Sequence, residues 1–297
     1  TLAASEIDDP GGRLEAAADE LRRRSGAFGK LNSPIRYVVA AMILRKGLRP
    51  GVVYDKVGEV QGEFRERKYR RGGVAEVLAA FLLVLQNGGR RPRKITLDRV
   101  GAILERWKRD HRFLTGADDY PMAALHASRD EDVESVGVRV ERIYRALRRK
   151  KFSMGNSLQL SSHILALGTW DEDGAARRFT AIRDAFKARK RRIWESQYDE
   201  VALLSLTEGA PVAIARRVLA DVETLRSMKP RPQPSIAFSL AAGIALSREV
   251  ARHGEVAVSP GTAALAAAKA VLDAQAAAMA AIMGSVVVTT TVTSGAH

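Results

Sequence analysis

The sequence predicts an all-α fold of about six helical hairpins, roughly 40-residue HEAT-like or solenoid-like repeats stacked in one unit. Three observations predict it. Apolar residues recur at helical spacing almost from end to end. Nearly apolar segments with small residues at their centre, a pair in five and the single Ala202 in the weaker fifth, recur six times. Basic residues are concentrated in the turns that join each amphipathic segment to the apolar one after it.

The elements follow in order. Residues 1–12 form an N-terminal tail, and 13–253 hold the six hairpins. Amphipathic outer helices are predicted over 13–24, 52–67, 96–109, 131–149, 174–188 and 211–227. Leu14, Ala17, Ala18 and Leu21 share a face in the first. Val100, Ile103, Leu104 and Trp107 do so in the third, and Val140, Ile143, Tyr144 and Leu147 in the fourth. The inner helices centre on Ala40-Ala41, Ala79-Ala80, Ala123-Ala124, Ser161-Ser162, Ala202 and Ala241-Ala242, an interval of about 40 residues each time. A helix that is apolar all round has to be covered on several sides, and small pairs let neighbouring backbones approach. The spacing does not choose between an open arch and a compact bundle. Asp118 and Asp119 precede Tyr120-Pro121 as turn and cap residues, and Asp173 is expected to cap the fifth outer helix.

Composition sets the function classes. The 297 residues include no cysteine, which excludes disulfides and thiolate metal sites and fits a reducing, cytoplasmic setting. The chain opens on Thr1, so a removed leader would leave no trace. Neither a phosphate-binding glycine loop nor a zinc signature occurs, and the five histidines have no i, i+4 partner among themselves. We expect no cofactor and no metal. The net charge of +14 favours an anionic partner: nucleic acid, an acidic protein or an anionic lipid surface.

The segment Leu160-Ser161-Ser162-His163 sets two serines beside a histidine. Adjacent helix positions point about 100° apart, so Ser162 and His163 do not face each other. The serines fill slots held elsewhere by alanine, and His163 fills one held by Met42, Phe81 and Leu125. The expectation is a core histidine, hydrogen-bonded inside the protein. The alternative is a polar stripe of Asn156, Gln159 and His163 lining a pocket, where an enzyme's site would sit.

Six turns carry the charge: 22–30, 65–71, 106–112, 148–151, 187–192 and 226–231. Together they hold 25 of the 48 lysines and arginines and a net charge of +23, leaving −9 elsewhere. In a stacked array such turns lie along one edge. The candidate anion-binding residues are Arg67, Lys68, Arg70 and Arg71; Arg109 and Arg112; Arg149, Lys150 and Lys151; and Arg189, Lys190, Arg191 and Arg192. Aromatic residues accompany them: Phe28, Tyr69, Phe113, Phe152 and Trp194. Cations also offset the helix dipole and bond free carbonyls, so capping is the competing account. Capping needs one or two cations per turn, and most of these turns supply more.

Residues 254–297 comprise a linker, an alanine-rich helix over 262–283 and a short Thr/Val tail. Alanine contributes little to membrane insertion, so spanning is not expected, and this segment is the candidate surface for a protein partner. The runs from Phe152 to Leu167 and Tyr120-Pro121-Met122, with the alanine-methionine-rich end, resemble an uncharacterised bacterial family, domain of unknown function 4003. The resemblance implies one integral unit over nearly the whole chain and supplies no activity, cofactor or site residue. The function expected is a non-catalytic repeat-like protein presenting a basic ridge. The alternatives are a protein scaffold and an enzyme with a pocket near His163.

Overall fold

Proline fixes where several helices begin. Pro10, Pro50, Pro211 and Pro234 open α1 (Pro10–Ser25), α3 (Pro50–Glu66), α11 (Pro211–Ser227) and α12 (Pro234–His253). A proline in the first turn presets φ and gives up only an amide that has no helical partner there. This is why α1 and α3 start earlier than their apolar periods alone imply. The computed structural model describes residues 10–26, 29, 31, 35–129, 131–229 and 231–253. The other helices are α2 (Ile35–Arg45), α4 (Val74–Gln86), α5 (Lys94–Asp110), α6 (Tyr120–Ala127), α7 (Val133–Arg149), α8 (Asn156–Ala166), α9 (Glu172–Ala188) and α10 (Tyr198–Ser205). The fold is all-α, with no strand among the described residues. The expected C-terminal linker, helix and tail lie outside them.

Long amphipathic helices alternate with shorter apolar ones. The long helices α5, α7, α9 and α11 open at Lys94, Val133, Glu172 and Pro211, an even period close to the one the small pairs mark. Those small residues, pairs in five helices and the single Ala202 in α10, fall inside α2, α4, α6, α8, α10 and α12. Every residue of α6 is buried, as is α4 from Glu76 to Leu85. The chain divides into two compact units, one ending at Lys94 and one running on from Ile95. In the first, α1 packs on α2 and α3, and α3 on α4. In the second, long helices stack on long (α7 on α9, α9 on α11) and short on short (α8 on α10, α10 on α12).

Two long helices open on an aspartate cap, and the cap expected at Asp173 is corrected. Asp132 accepts from the Ser135 amide at 2.9 Å and opens α7. At α9 the cap is Asp171, which accepts from the Gly174 amide, and not Asp173, which lies inside the first turn. Asp171 has the extended backbone a cap requires, whereas Asp173 is already helical. Asp119 accepts from the Gly116 amide at 2.8 Å, closing the 3-10 turn Ala117–Asp119 before α6.

A device the apolar pattern did not show closes the short helices. Arg139 on α7 donates to the carbonyls of Ala166 (3.1 Å), Gly168 (2.9 Å) and Trp170 (2.6 Å), where α8 ends. Arg178 on α9 donates to Ser205 (2.9 Å), Thr207 and Gly209 (3.0 Å), where α10 ends. Arg99 on α5 donates to Arg129 (2.8 Å) and Glu131 beyond α6. The last carbonyls of a helix have no partner within it. In each of these pairs the long helix therefore reaches across with a guanidinium to close the short one.

Successive long helices are staggered. Near the end of α1, Arg24 bonds Asp55 of α3 at 2.9 Å. His111, just past α5, meets Glu141 midway along α7 at 2.7 Å, and Arg106 meets Glu134 at 2.8 Å. Arg142 of α7 stands 3.8 Å from Glu172 at the start of α9. In the pairs α1–α3, α5–α7 and α7–α9 the later half of one helix thus lies along the earlier half of the next, an offset of about 15 Å at 1.5 Å per residue. Gly137 admits the Arg106 side chain across α7, where a methyl group would overlap it, and Gly51 does the same for Arg24.

The clamp is testable. Arg139→Met keeps the bulk of the stem and removes all three donors. Charge-assisted bonds to carbonyls imply a loss of about 2 kcal/mol in urea unfolding. Arg139→Lys recovers only part of it, because an ammonium cannot span three carbonyls as a planar fork does.

Candidate functional site

Two sets of residues carry chemistry, one buried and one exposed. The buried set sits where α5, α6 and α8 meet. His163 is 0% exposed and stacks on Trp107, ring centroids 3.7 Å apart and 14° from parallel. Trp107 meets His126 edge-on at 5.7 Å. His126 donates from Nε2 to the His163 carbonyl at 3.0 Å. Gln159 donates to the Thr115 hydroxyl at 2.9 Å.

His163 is a core residue, but the expected hydrogen bond is not made. Both its ring nitrogens, His126 Nδ1 and Trp107 Nε1 are buried without a partner. The nearest carboxylate oxygen, Asp119 Oδ1, stands 3.7 Å from His163 Nδ1, beyond hydrogen-bonding range. Stacking on Trp107 holds the ring instead. Burial holds the His163 pKa well below its ordinary value, with the nearby His126 and His111 pushing the same way. Burial pushes His126 down to about 4 and raises Asp119 to about 6. At neutral pH both buried rings are neutral, so Asp119 and His163 form no ion pair.

The predicted stripe is only partly brought together. Gln159 and His163 enter this cluster, whereas Asn156 is exposed at the start of α8. They are sealed in the core and line no cleft. Thr115, Trp107, Asp119 and His126 were missed. The available signal was that His126 interrupts an inner helix, as His163 does. An open groove of about 410 Å³ lies elsewhere, lined by Glu131, Asp132, Ser135, Arg139, Arg142 and Glu172 among others. Its Arg139 is already committed to three carbonyls. Among the described residues no cluster of three His, Asp or Glu side chains could hold a metal ion.

A second buried acid lies between α10 and α12. Glu200 accepts from Ser239, its other oxygen has no partner, and burial beside Asp199 raises it to about 9.

The exposed set is the basic turns. Lys68, Lys151 and Lys190 stand at φ 57°, 64° and 58°, the left-handed region that favours glycine. Each closes a long helix in the same way. The Lys68 amide bonds the Arg65 carbonyl, and the Tyr69 amide reaches back to Phe64. Lys151 and Phe152 bond Arg148 and Leu147, and Lys190 and Arg191 bond Lys187 and Phe186. Lys68, Lys151 and Lys190 share one offset from Pro50, Val133 and Glu172, the first residues of their helices. Arg112 has the same offset from Lys94 of α5, but that turn is longer and lacks the left-handed residue.

The remaining candidates divide by partner. Arg67 pairs with Glu63, Arg109 with Glu134 at 2.7 Å, and Arg149 with Asp173 at 3.2 Å. Arg191 lies over the Phe238 ring at 5.1 Å and Arg192 over Trp194 at 3.9 Å. Lys68, Arg70, Arg71, Arg112, Lys150, Lys151, Arg189 and Lys190 are exposed. Of the accompanying aromatics, Phe152 is core, packed edge-on to Phe179 at 4.9 Å, and Tyr69 folds back on Phe64 at 5.5 Å. Phe113 and Trp194 are exposed, and Phe28 lies outside the described residues.

The buried acids and bases fix how stability responds to pH. The folded state keeps His126 and His163 neutral below the ordinary histidine value of about 6.5, while the unfolded chain protonates them. Their contribution is present above about 6.5 and lost as pH falls towards 4. Between about 6 and 4 Asp119 binds a proton on folding and offsets one histidine. The net loss is therefore about 1.4 kcal/mol per pH unit. Glu200 acts oppositely: its contribution is present near pH 4.5 and lost as pH rises towards 9. We expect His163→Met to flatten the acid limb and stay within about 1 kcal/mol of the parent at pH 7.5, where lost stacking and relieved orphan atoms oppose. Glu200→Gln should raise stability at pH 8. Urea unfolding at pH 5, 7.5 and 8 checks all three.

Uncharacterized protein YeaA of Bacillus subtilis strain 168 is 25% identical over 240 residues, covering 78% of this chain and 70% of that protein. No solved structure matches the chain. A family match described as protein of unknown function (DUF4003) extends over residues 6–277, and the chain belongs to that family.

Proposed function

We propose that this protein binds a polyanionic partner through the basic turns that close its long helices, without catalysing a reaction. One observation carries the reading: lysine occupies the left-handed closing position at 68, 151 and 190. A side chain there costs about 1–2 kcal/mol relative to relaxed backbone, and a cation at a helix end returns only about 0.3–1. Glycine would close these helices better, so capping alone does not account for lysine three times over. A strained backbone held at recurring positions points to a role outside stability. Among the described residues, Lys68, Lys151 and Lys190 are exposed and make no side-chain ion pair, which leaves their charges available. No described helix is long and apolar enough to cross a membrane. The cysteine-free composition fits action in a reducing compartment such as the cytoplasm.

The triple replacement Lys68→Gly, Lys151→Gly and Lys190→Gly separates the two accounts. Binding predicts opposite effects on fold and affinity. Stability in urea should rise by about 2 kcal/mol in total. Affinity for heparin or a labelled oligonucleotide should fall. The slope of log affinity against log salt, about −4 for six contacts to a single strand, should flatten by about 2. A variant more stable and equally tight-binding would leave these turns as capping features.

A further inference from the structure

Phe113 is 97% exposed and Trp194 is 53% exposed. Neither is explained by the packing that explains its counterparts: Phe152 is buried edge-on to Phe179 of α9, and Tyr69 folds back on Phe64 of α3. Both belong to the second unit: Phe113 lies between α5 and α6, Trp194 between α9 and α10. Each adjoins a cation, Arg112 beside Phe113 and Arg192 stacked over the Trp194 ring at 3.9 Å. The turn between α7 and α8 supplies Lys150 and Lys151.

We infer that the second unit binds single-stranded nucleic acid, with phosphates on these cations and unpaired bases stacked on Phe113 and Trp194. The inference rests on the polyanion reading above and assigns its partner. Every base has a π-face, so exposed rings beside cations bind single strands with little sequence preference. A duplex hides its base faces, and an acidic peptide offers no regular supply of planar rings. A bilayer takes a contiguous apolar patch, whereas the two rings stand in turns with the Lys150-Lys151 turn between them. The stagger of about 15 Å per pair, with helix axes about 8–10 Å apart, sets the rings on the order of 35 Å from each other. A strand of about 20 nucleotides reaches both, and one of about 4 reaches a single ring.

The test is fluorescence anisotropy at low salt with labelled oligo-thymidine of both lengths, a blunt duplex and vesicles of phosphatidylserine and phosphatidylcholine. The full chain carrying Phe113→Ser and Trp194→Ser is expected to lose between about 10- and 100-fold for the long strand. Its duplex affinity should change less than about threefold, and its thermal midpoint should hold because both rings are exposed. Phe113→Tyr with Trp194→Phe keeps the rings and should restore binding. The short strand should bind weakly and respond less to the double replacement. Unchanged single-strand affinity, or equal loss on the duplex, would overturn the stacking inference and leave polyanion binding standing. Tighter binding to vesicles than to the long strand would also overturn it. Absence of any oligonucleotide binding to the parent protein would overturn both.

Discussion

The last carbonyls of each helix have to be bonded by something, and the fold is organised around how that is done. The short inner helices run into loops whose carbonyls are bonded by side chains from the neighbouring long helix. Arg99, Arg139 and Arg178 supply the bonds from the long helix of the same pair. The long helices end at the surface, and three of them turn back on their own final carbonyls through a left-handed lysine. These two closures set the hairpin length. A guanidinium near the first third of the long helix has to reach the end of the short one, which fixes both helix lengths and the turn between them.

Much of the architecture was legible in the sequence because it depends on local periodicity. The alternation of amphipathic and apolar segments, and the small pairs at their centres, depend on spacings of three, four and about forty residues. Long-range geometry was not legible. The stagger between long helices comes from contacts such as His111 with Glu141 and Arg24 with Asp55, and residue spacing does not specify partners across pairs. The offset of Lys68, Lys151 and Lys190 could be counted, but their backbone sign could not, since glycine is the usual signal for it. The sequence pointed to Asp173 as the cap of α9, and only the backbone angle moves that role to Asp171.

The site followed the same division. His163 was readable as a core residue because its slot is apolar in other repeats. Its partners were not, because Trp107 and His126 come from other helices. The basic turns were readable as a charge pattern. Which cations are committed to neighbours was not: Arg109 and Arg149 are paired with acids that open the next long helix.

The arginine closure has a consequence for how such a chain can lengthen or shorten. In each of these three pairs the donor and the carbonyls it serves belong to the same hairpin. Adding or deleting one whole hairpin therefore carries every clamp donor together with its acceptors. Cutting within a hairpin separates them and leaves those carbonyls without their donor. Duplication in steps of one full period, the interval at which α5, α7, α9 and α11 recur, is the change this closure tolerates. The hairpin is in that sense a unit of inheritance as well as of packing, and Arg99, Arg139 and Arg178, about one period apart, mark it in the text of the chain.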